Sequence, residues 1–246
     1  MKTALYARIV FGLAAVAYGI IALMWHDADT WQTLGTLWHL PFGAVVGNCL
    51  MVAQIVGGVL VLFPGTARLA AIVLGIVYLL FSLTCVPDII HGPRAYYHYG
   101  SFFEQFSLLV GALAVYASTE PDAARSAALG RAARFGLGLC AISFTLAQIF
   151  YLEFTASLVP TWIPPNQMFW AVLTTFAFGF AAIAILANLK ARLAMRLMTV
   201  MLGVFGILVW IPLLVAHPEA HLNWSECILT FQITGAAWVV AELQAF

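Results

Sequence analysis

Eight long apolar runs decide what this chain can fold into. Each contains about 20 residues, the length that an α-helix needs to cross the roughly 30 Å hydrocarbon core of a bilayer. The runs are continuously apolar rather than alternating, which favours helices over the strands of a membrane barrel. The predicted spans are residues 5–25, 42–63, 67–86, 102–118, 132–152, 167–187, 192–215 and 224–243.

The composition agrees with a membrane environment. Of the 246 residues, 64% are hydrophobic and only 8% are charged, whereas a soluble domain carries roughly 25% charged residues. The chain has net charge zero and no polybasic run, so the sequence predicts no nucleic-acid partner. The predicted partners are the lipid bilayer and other membrane-protein subunits.

The basic residues predict the orientation of the chain. In the eight-span topology nine of the ten Lys and Arg residues fall on the side that carries both termini, and only Arg94 falls on the other. The positive-inside rule therefore predicts cytoplasmic termini, with the protein in a bacterial inner membrane. All six histidines and seven of the ten acidic residues fall on the outer side.

The two halves of the chain share polar residues and prolines in the same order. The tetrapeptide ARLA occurs at 67–70 and again at 191–194, and three pairs recur at matching positions: Asp27 with Glu153, His91 with His217, and Glu104 with Glu226. We predict an all-α integral membrane protein whose eight helices form two four-helix bundles in parallel orientation. The predicted repeats are 1–118 and 131–246, joined by a cytoplasmic connector at 119–130. Because the first helix has a counterpart in the fifth, it is predicted to be retained rather than cleaved as a signal peptide.

Several of these motifs resemble those of the DoxX-like family of small four-helix membrane proteins. They are LVPTWIPPNQMFWAVLT (158–174), ARLA and VWIPLLVAHP (209–218), with weaker versions in the first half. The resemblance covers nearly the whole chain as two fused copies, and it implies a four-helix-bundle module. Some members are implicated as membrane partners of oxidoreductases that use quinones or thiols, so the resemblance makes a quinone the candidate cofactor.

Glu104 and Glu226 are the most informative polar residues. Each is predicted about one turn inside an apolar helix, where an acid is costly unless it has a partner or reaches water. Three interpretations stay open. Each glutamate could be an interfacial acid stabilised by the helix dipole. Alternatively, it faces the bundle interior and binds a proton, a cation or a polar ligand, or it pairs with Arg94.

The remaining candidate site residues follow the helices on the outer side. His91 and His217 either are solvated or pair with Glu104 and Glu226 at the outer mouth of each bundle. Asp27 and Glu153 end the first helix of each repeat and are candidates for closing those mouths. The candidate cofactor-binding residues are therefore Asp27, Glu153, His91, His217, Glu104 and Glu226. The sequence contains no recognisable catalytic or metal-binding motif.

Three further features lead to structural predictions. Gln54, Gln148 and Gln232 lie inside spans and are predicted to be interhelical hydrogen-bond donors, with contact to a quinone as the alternative. The four cysteines are predicted to be buried and inert. The aromatic segment 93–103 is predicted to form a short lid on the outer interface.

Together these observations favour an accessory or anchoring subunit of a membrane redox complex, with a quinone as the possible ligand. Two alternatives stay open. One is a small-solute or proton-coupled transporter, favoured by the repeated intramembrane acids. The other is a purely structural subunit of a larger membrane assembly.

Overall fold

The computed structural model describes residues 2–25 and 41–244, and this part of the chain is all-α. It contains eight helices that are long and apolar enough to cross a membrane, as predicted. In chain order the helices are α1 (Lys2–Met24), α2 (Gly43–Val61), α3 (Ala67–Thr84), α4 (Val86–His91), α5 (Tyr96–Ser118), α6 (Ala123–Phe150), α7 (Leu152–Leu158), α8 (Gln167–Leu186), α9 (Ala191–Phe205), α10 (Ile211–Ala216) and α11 (His221–Leu243).

Two spans consist of more than one element. A 3₁₀ turn, α3 and α4 together form the span Pro64–His91, and α9 and α10 form the span Ala191–Ala216. Between α9 and α10 lies a π-helical turn, Gly206–Trp210, in which the N–H of Ile211 donates to the carbonyl of Gly206 five residues earlier. Pro212 follows at the start of α10 and has no N–H to donate, which explains why the regular α-helical bonding changes here.

Helices α5 and α11 pack against each other between the two halves. Helix α1 packs on α2 and on α11, while α6 packs on α8 and on α5, so the first helix of each half contacts the last helix of the other. One buried core runs through both halves and includes Phe11, Tyr78, Leu137 and Ala236. The halves are therefore packed as one body rather than standing side by side.

Glycine allows the closest helix contacts. A Cβ atom added to Gly111 of α5 would lie 2.6 Å from the Cβ of Ala236 in α11, and one added to Gly235 would lie 2.6 Å from the backbone nitrogen of Phe11 in α1. Such distances are shorter than side chains tolerate, so these helices approach each other only because the glycines have no side chain.

We call the end of the molecule where α1 begins and α11 finishes the termini face, and the other end the opposite face. On the termini face Glu242 accepts hydrogen bonds from Thr3 at 2.9 Å and from Arg196 at 2.6 and 3.0 Å, with Arg192 at 3.5 Å. Glu120 lies 3.1 Å from Arg68. These contacts join α1, α9 and α11 in one place, and in another they join the start of α3 to the segment that follows α5.

Helices α5 and α6 begin well before their predicted starts at 102 and 132. Helix α5 starts at Tyr96, so most of the predicted lid, 93–103, forms the first turns of a spanning helix instead. Helix α6 starts at Ala123, where the Asp122 side chain accepts a hydrogen bond from the N–H of Arg125, so much of the predicted connector 119–130 is helical. A polar residue at a helix N-terminus caps free N–H groups, and hydropathy alone does not detect this.

Candidate functional site

The structure separates most of the predicted site residues. Asp27 lies outside the described residues. Glu153 is exposed on α7. His91 is exposed, with its Nδ1 atom 2.7 Å from the carbonyl oxygen of Pro87. His217 is exposed and lies 3.3 Å from Glu219. Neither histidine makes a hydrogen bond to Glu104 or Glu226.

Glu104 and Glu226, in contrast, come together. They belong to α5 and α11, the two helices packed between the halves, and their carboxyl groups lie within electrostatic range of each other. The sequence analysis assigned them to two separate bundles; the structure brings them into one place. Both side chains are partly buried.

The glutamates also lie deeper along their helices than predicted. Glu104 follows the start of α5 by eight residues, which corresponds to about 12 Å along the helix axis, and Glu226 follows the start of α11 by about 8 Å. The observed depth exceeds the predicted depth mainly for Glu104, because the aromatic residues that precede it belong to α5. Among the described residues, no Lys, Arg or His lies within ion-pair distance of either carboxylate.

Two tyrosines and a glutamine extend the site into the bilayer. Tyr18 of α1 lies within electrostatic range of both glutamates and of Tyr78 in α3. The side-chain amide of Gln232 donates a hydrogen bond to the Tyr78 hydroxyl. Gln232 lies at the middle of α11, and all three side chains are almost completely buried. The polar groups therefore reach from near the opposite face to the centre of the helical bundle.

Three glutamines on α2, α5 and α11 have buried amide oxygens without hydrogen-bond partners. Gln232 and Gln54 have no exposed surface, and Gln105 is 2% exposed. The Oε1 atom of each makes no hydrogen bond, although the Gln54 amide donates to the carbonyl of Ala15, one turn from Tyr18. Buried polar atoms in proteins are almost always paired, so three unpaired oxygens in the helical bundle need an explanation. We refer to Tyr18, Tyr78, Glu104, Gln105, Glu226 and Gln232 as the central cluster.

Aromatic rings close the α1–α11 contact towards the opposite face. The indole of Trp25 stacks on the ring of His221, with 5.1 Å between centroids, and lies 6.4 Å from Trp224. His221 is buried, and its Nε2 atom lies 3.2 Å from the hydroxyl oxygen of Ser225. This histidine was not among the predicted site residues, and it lies about one turn from Glu226.

A second candidate site is an apolar pocket of about 590 Å³ in the other half, between α6, α7, α8 and the π turn. Its aromatic walls are Tyr151, Phe154, Trp170, Phe205 and Trp210. Gln148, Thr155 and Thr174 are among its polar lining residues, and Gln148 accepts hydrogen bonds from the hydroxyls of Thr174 and Thr175 at 3.3 and 3.0 Å.

The glutamine prediction is confirmed for Gln54 and Gln232, which donate across helix contacts. It is wrong for Gln148, which accepts hydrogen bonds across the α6–α8 contact instead of donating them. The cysteine prediction is confirmed for Cys85, Cys140 and Cys227, which are buried and not in disulfides; it is wrong for Cys49, which is exposed on α2. An apolar residue on a spanning helix faces either lipid or protein, and local sequence does not distinguish the two.

Sequence reasoning missed Tyr18, Tyr78 and Gln105 as site residues. Tyrosines in spans are ordinarily assigned to the interface, and only their position in α1 and α3 relative to α11 shows otherwise. Gln105 is adjacent to Glu104, and this polar pair was the available signal. Comparison of the chain with protein-family models, curated proteins and solved structures gave no match.

Proposed function

We propose that this chain is an accessory or anchoring subunit of a membrane redox complex and that the apolar pocket beside the π turn binds a quinone. The observation that carries the proposal is the pocket itself. Its volume of about 590 Å³ falls in the range of small-molecule sites, which are mostly apolar with a few placed polar groups. Trp170 and Trp210 offer flat surfaces for a ring, and the surrounding apolar side chains suit an isoprenoid tail.

The polar groups of the pocket match a quinone carbonyl. The Oε1 atom of Gln148 lies 3.3 and 3.0 Å from the hydroxyl oxygens of Thr174 and Thr175, whereas its amide nitrogen makes no hydrogen bond within the described part of the chain. An amide N–H is a donor, and the carbonyl oxygens of a quinone accept hydrogen bonds. The π turn widens this part of the span, and such turns are frequent at functional sites.

Quenching of tryptophan fluorescence tests the quinone site directly. We expect ubiquinone-1, added to the purified full chain in detergent, to quench the fluorescence saturably. The substitution Gln148→Leu should raise the half-saturating concentration at least fivefold. Gln244→Leu is the matched control, since Gln244 bonds to Gly130 on the termini face, far from the pocket. Unsaturable quenching, or equal affinity of the Gln148→Leu variant, would contradict the proposal.

The accessory role has its own test. The chain should co-purify in mild detergent with a stoichiometric partner that carries a redox cofactor, since the sequence offers no self-sufficient catalytic motif. Isolation of a lone monomer or homodimer, under conditions that preserve other membrane complexes, would contradict the accessory role. The chain would then act without a partner subunit.

A proton-coupled or small-solute transporter is the second candidate, favoured by the depth of the central cluster. Transporter sites are expected near the bilayer midplane, and Gln232 lies at the middle of α11. Solute or proton uptake into vesicles that contain only this chain would support transport, whereas vesicles without uptake and with a redox partner would support the accessory subunit.

The internal duplication and the DoxX-like resemblance belong to the same proposal. Two pairs of contacts at matching positions support the duplication. The arginine of each ARLA motif lies beside a buried glutamate near the end of its half, Arg68 with Glu120 and Arg192 with Glu242. In addition, Gly12 and Gly138, at the same place in each half, allow close approach of the next spanning helix.

We place the termini face in the cytoplasm of a bacterial cell and the central cluster towards the outside of the inner membrane. The arginines of the termini face support this orientation through the positive-inside rule. A reporter fused after residue 246 should be active only if it is a cytoplasmic reporter; activity of a periplasmic reporter at the same position would reverse the orientation.

A further inference from the structure

We propose that the second half of the chain binds a phospholipid with an anionic headgroup on the termini face, where α8 turns into α9. The headgroup occupies a basic pocket, and one acyl chain occupies an apolar groove that begins at the same residues. The site does not depend on the quinone pocket, because the residues that bind the headgroup line a different cavity.

The basic pocket is a cavity of about 570 Å³ beside the turn between α8 and α9. Lys190 and Arg192 line it, and so does Arg196, one turn further along α9. Glu242 contacts the two arginines, at 3.5 and 2.6 Å. The described residues therefore place three positive charges at this pocket and one negative charge beside it. A cleft lined by one sign of charge attracts ligands of the opposite sign, so the pocket favours an anion.

The donors of the basic pocket suit a phosphate group. Arginine binds phosphate oxygens through its planar fork of N–H donors, and lysine binds them as a compact charge. The side chains of Arg192 and Arg196 are 41% and 43% exposed, so both can contact a ligand from outside while they stay beside Glu242. Basic pockets between spanning helices are sites at which proteins bind anionic lipid headgroups.

An apolar groove of about 340 Å³ runs between α8 and α9. Small side chains open it on α8, where three alanines spaced four and three residues apart line the groove: Ala177, Ala181 and Ala184. Residues at this spacing share one face of a helix. On α9, Leu193 and Leu197 line the groove and are also one turn apart. The two helices therefore offer a continuous aliphatic surface, which fits a hydrocarbon chain.

The groove and the basic pocket meet, because Lys190 and Leu193 line both of them. From Ala191, which lines the basic pocket, to Met201, which lines the groove, α9 rises about 15 Å. One leaflet is about half of the roughly 30 Å hydrocarbon core, so an acyl chain attached to a headgroup in the pocket can follow the groove. A free phosphate would use only the pocket and a neutral lipid only the groove. The joined site therefore favours an anionic phospholipid.

The matching turn of the first half lacks two of the three cations. The ARLA motif of each half supplies an arginine that contacts a glutamate. However, Thr66 precedes the first motif where Lys190 precedes the second, and Ile72 stands where Arg196 stands. The shared arginine–glutamate contact is present in the first half without the two additional cations. Those cations therefore belong to the second half alone, at the end of its groove.

Native mass spectrometry tests the preference for an anionic headgroup. The purified full chain in a neutral detergent is titrated with dioleoyl phosphatidylglycerol or with dioleoyl phosphatidylcholine, which have the same acyl chains and differ in headgroup charge. We expect saturable retention of phosphatidylglycerol, with an affinity at least about tenfold higher than that of phosphatidylcholine. Equal retention of the two lipids would overturn the proposal, because the groove would then be ordinary lipid-facing surface. A lipid-free dimer would also overturn it, since a second copy of the chain would then take the place of the lipid.

Charge variants assign the headgroup to the basic pocket. Lys190→Gln and Arg192→Gln should each lower the affinity for phosphatidylglycerol about fivefold, the contribution of one basic residue near a membrane surface. Arg125→Gln is the matched control, since it removes an exposed arginine beside Glu120 on the same face, and it should leave the affinity unchanged. Lys190 is exposed in the turn, so its substitution tests the site even if Arg192→Gln, which loses its contact with Glu242, does not fold. Unchanged affinity of the Lys190→Gln variant, or an equal loss in Arg125→Gln, would overturn the site.

A separate experiment tests the groove. Ala184→Leu fills the groove without a change of charge and should lower the affinity for phosphatidylglycerol at least about threefold, whereas Ala132→Leu, at an exposed position of α6, should not. Glycerol 3-phosphate carries the phosphate without acyl chains, and in molar excess it should not displace the lipid. Circular dichroism identifies the variants that have folded. Displacement by glycerol 3-phosphate would assign the pocket to a free anion and overturn the lipid site, as would unchanged affinity of the folded Ala184→Leu variant.

Discussion

The substitution Glu242→Gln tests how strongly one buried carboxylate on the termini face holds three helices together. Glu242 is 7% exposed, and its oxygens accept three hydrogen bonds of 3.0 Å or less from Thr3 on α1 and Arg196 on α9. Glutamine keeps the shape of the side chain but removes the charge and one acceptor oxygen. The change therefore separates the ionic part of the contact from its packing.

The expected loss follows from these bonds and from the exposure of the arginines. Hydrogen bonds to charged groups contribute about 1.5–3 kcal/mol each when buried, but exposed ion pairs contribute roughly 0.2–1 kcal/mol. The side chain of Arg196 is 43% exposed and can rehydrate, so the lower values apply to it. We expect Glu242→Gln to reduce the free energy of unfolding by about 2 kcal/mol.

Glu120→Gln is the matched control on the same face. Arg68 contacts Glu120 at 3.1 Å, but it also donates to the Tyr116 hydroxyl at 2.8 Å and lies over the Tyr116 ring, so it keeps partners when the charge is removed. The expected loss is about 0.5 kcal/mol. Unfolding in mixed micelles with increasing dodecyl sulfate, followed by circular dichroism, measures both values. A loss for Glu242→Gln no larger than that for Glu120→Gln would refute this reasoning.

Two further predictions concern packing. Gly111→Leu should lower the free energy of unfolding by about 2 kcal/mol or more, because the new side chain meets Ala236 of α11. Gly100→Leu is the control and should not lower it, because nothing lies within 4 Å of a Cβ at that position. Equal stability of the two variants in the same unfolding assay would show that α5 and α11 are not in close contact. N-ethylmaleimide, which enters detergent micelles, should modify the thiol of Cys49, exposed on the spanning helix α2, faster than the three buried thiols, as followed by intact-mass spectrometry. Modification of a second cysteine at a similar rate would place another thiol at the surface.

The fold could be predicted because its main cause is local. Runs of apolar residues as long as a bilayer is thick form helices whatever they contact, since no other structure satisfies their backbone groups in lipid. The helix ends were less predictable. The start of α5 at Tyr96 precedes the apolar run, because aromatic and polar residues there still form regular helix.

The candidate site depends on neighbours that are far apart in sequence, so it was only partly predictable. Repeated positions suggested two equivalent sites, one with Glu104 and one with Glu226. The structure instead brings these two residues together, because α5 and α11 pack between the halves. The two halves also differ in which matching positions carry a polar residue. At the position in the second half that matches Tyr18 stands Phe144, which packs against Phe178 at 5.7 Å between ring centroids.

The contact between α1 and α11 bears on how the protein is made. Within residues 2–244, α1 is synthesised before every other helix and its partner α11 after them, yet the two meet along their length, from Thr3 with Glu242 to Trp25 with His221. Until α11 has been made, Phe11 of α1 lies only against earlier helices, with Tyr78 of α3 at 6.2 Å between ring centroids and Gly111 of α5 beside it, and it lacks its contact with Gly235 of α11. During that interval lipid or another membrane protein covers the part of α1 that α11 later covers, and a ribosome that stalls before residue 221 leaves a bundle without α11.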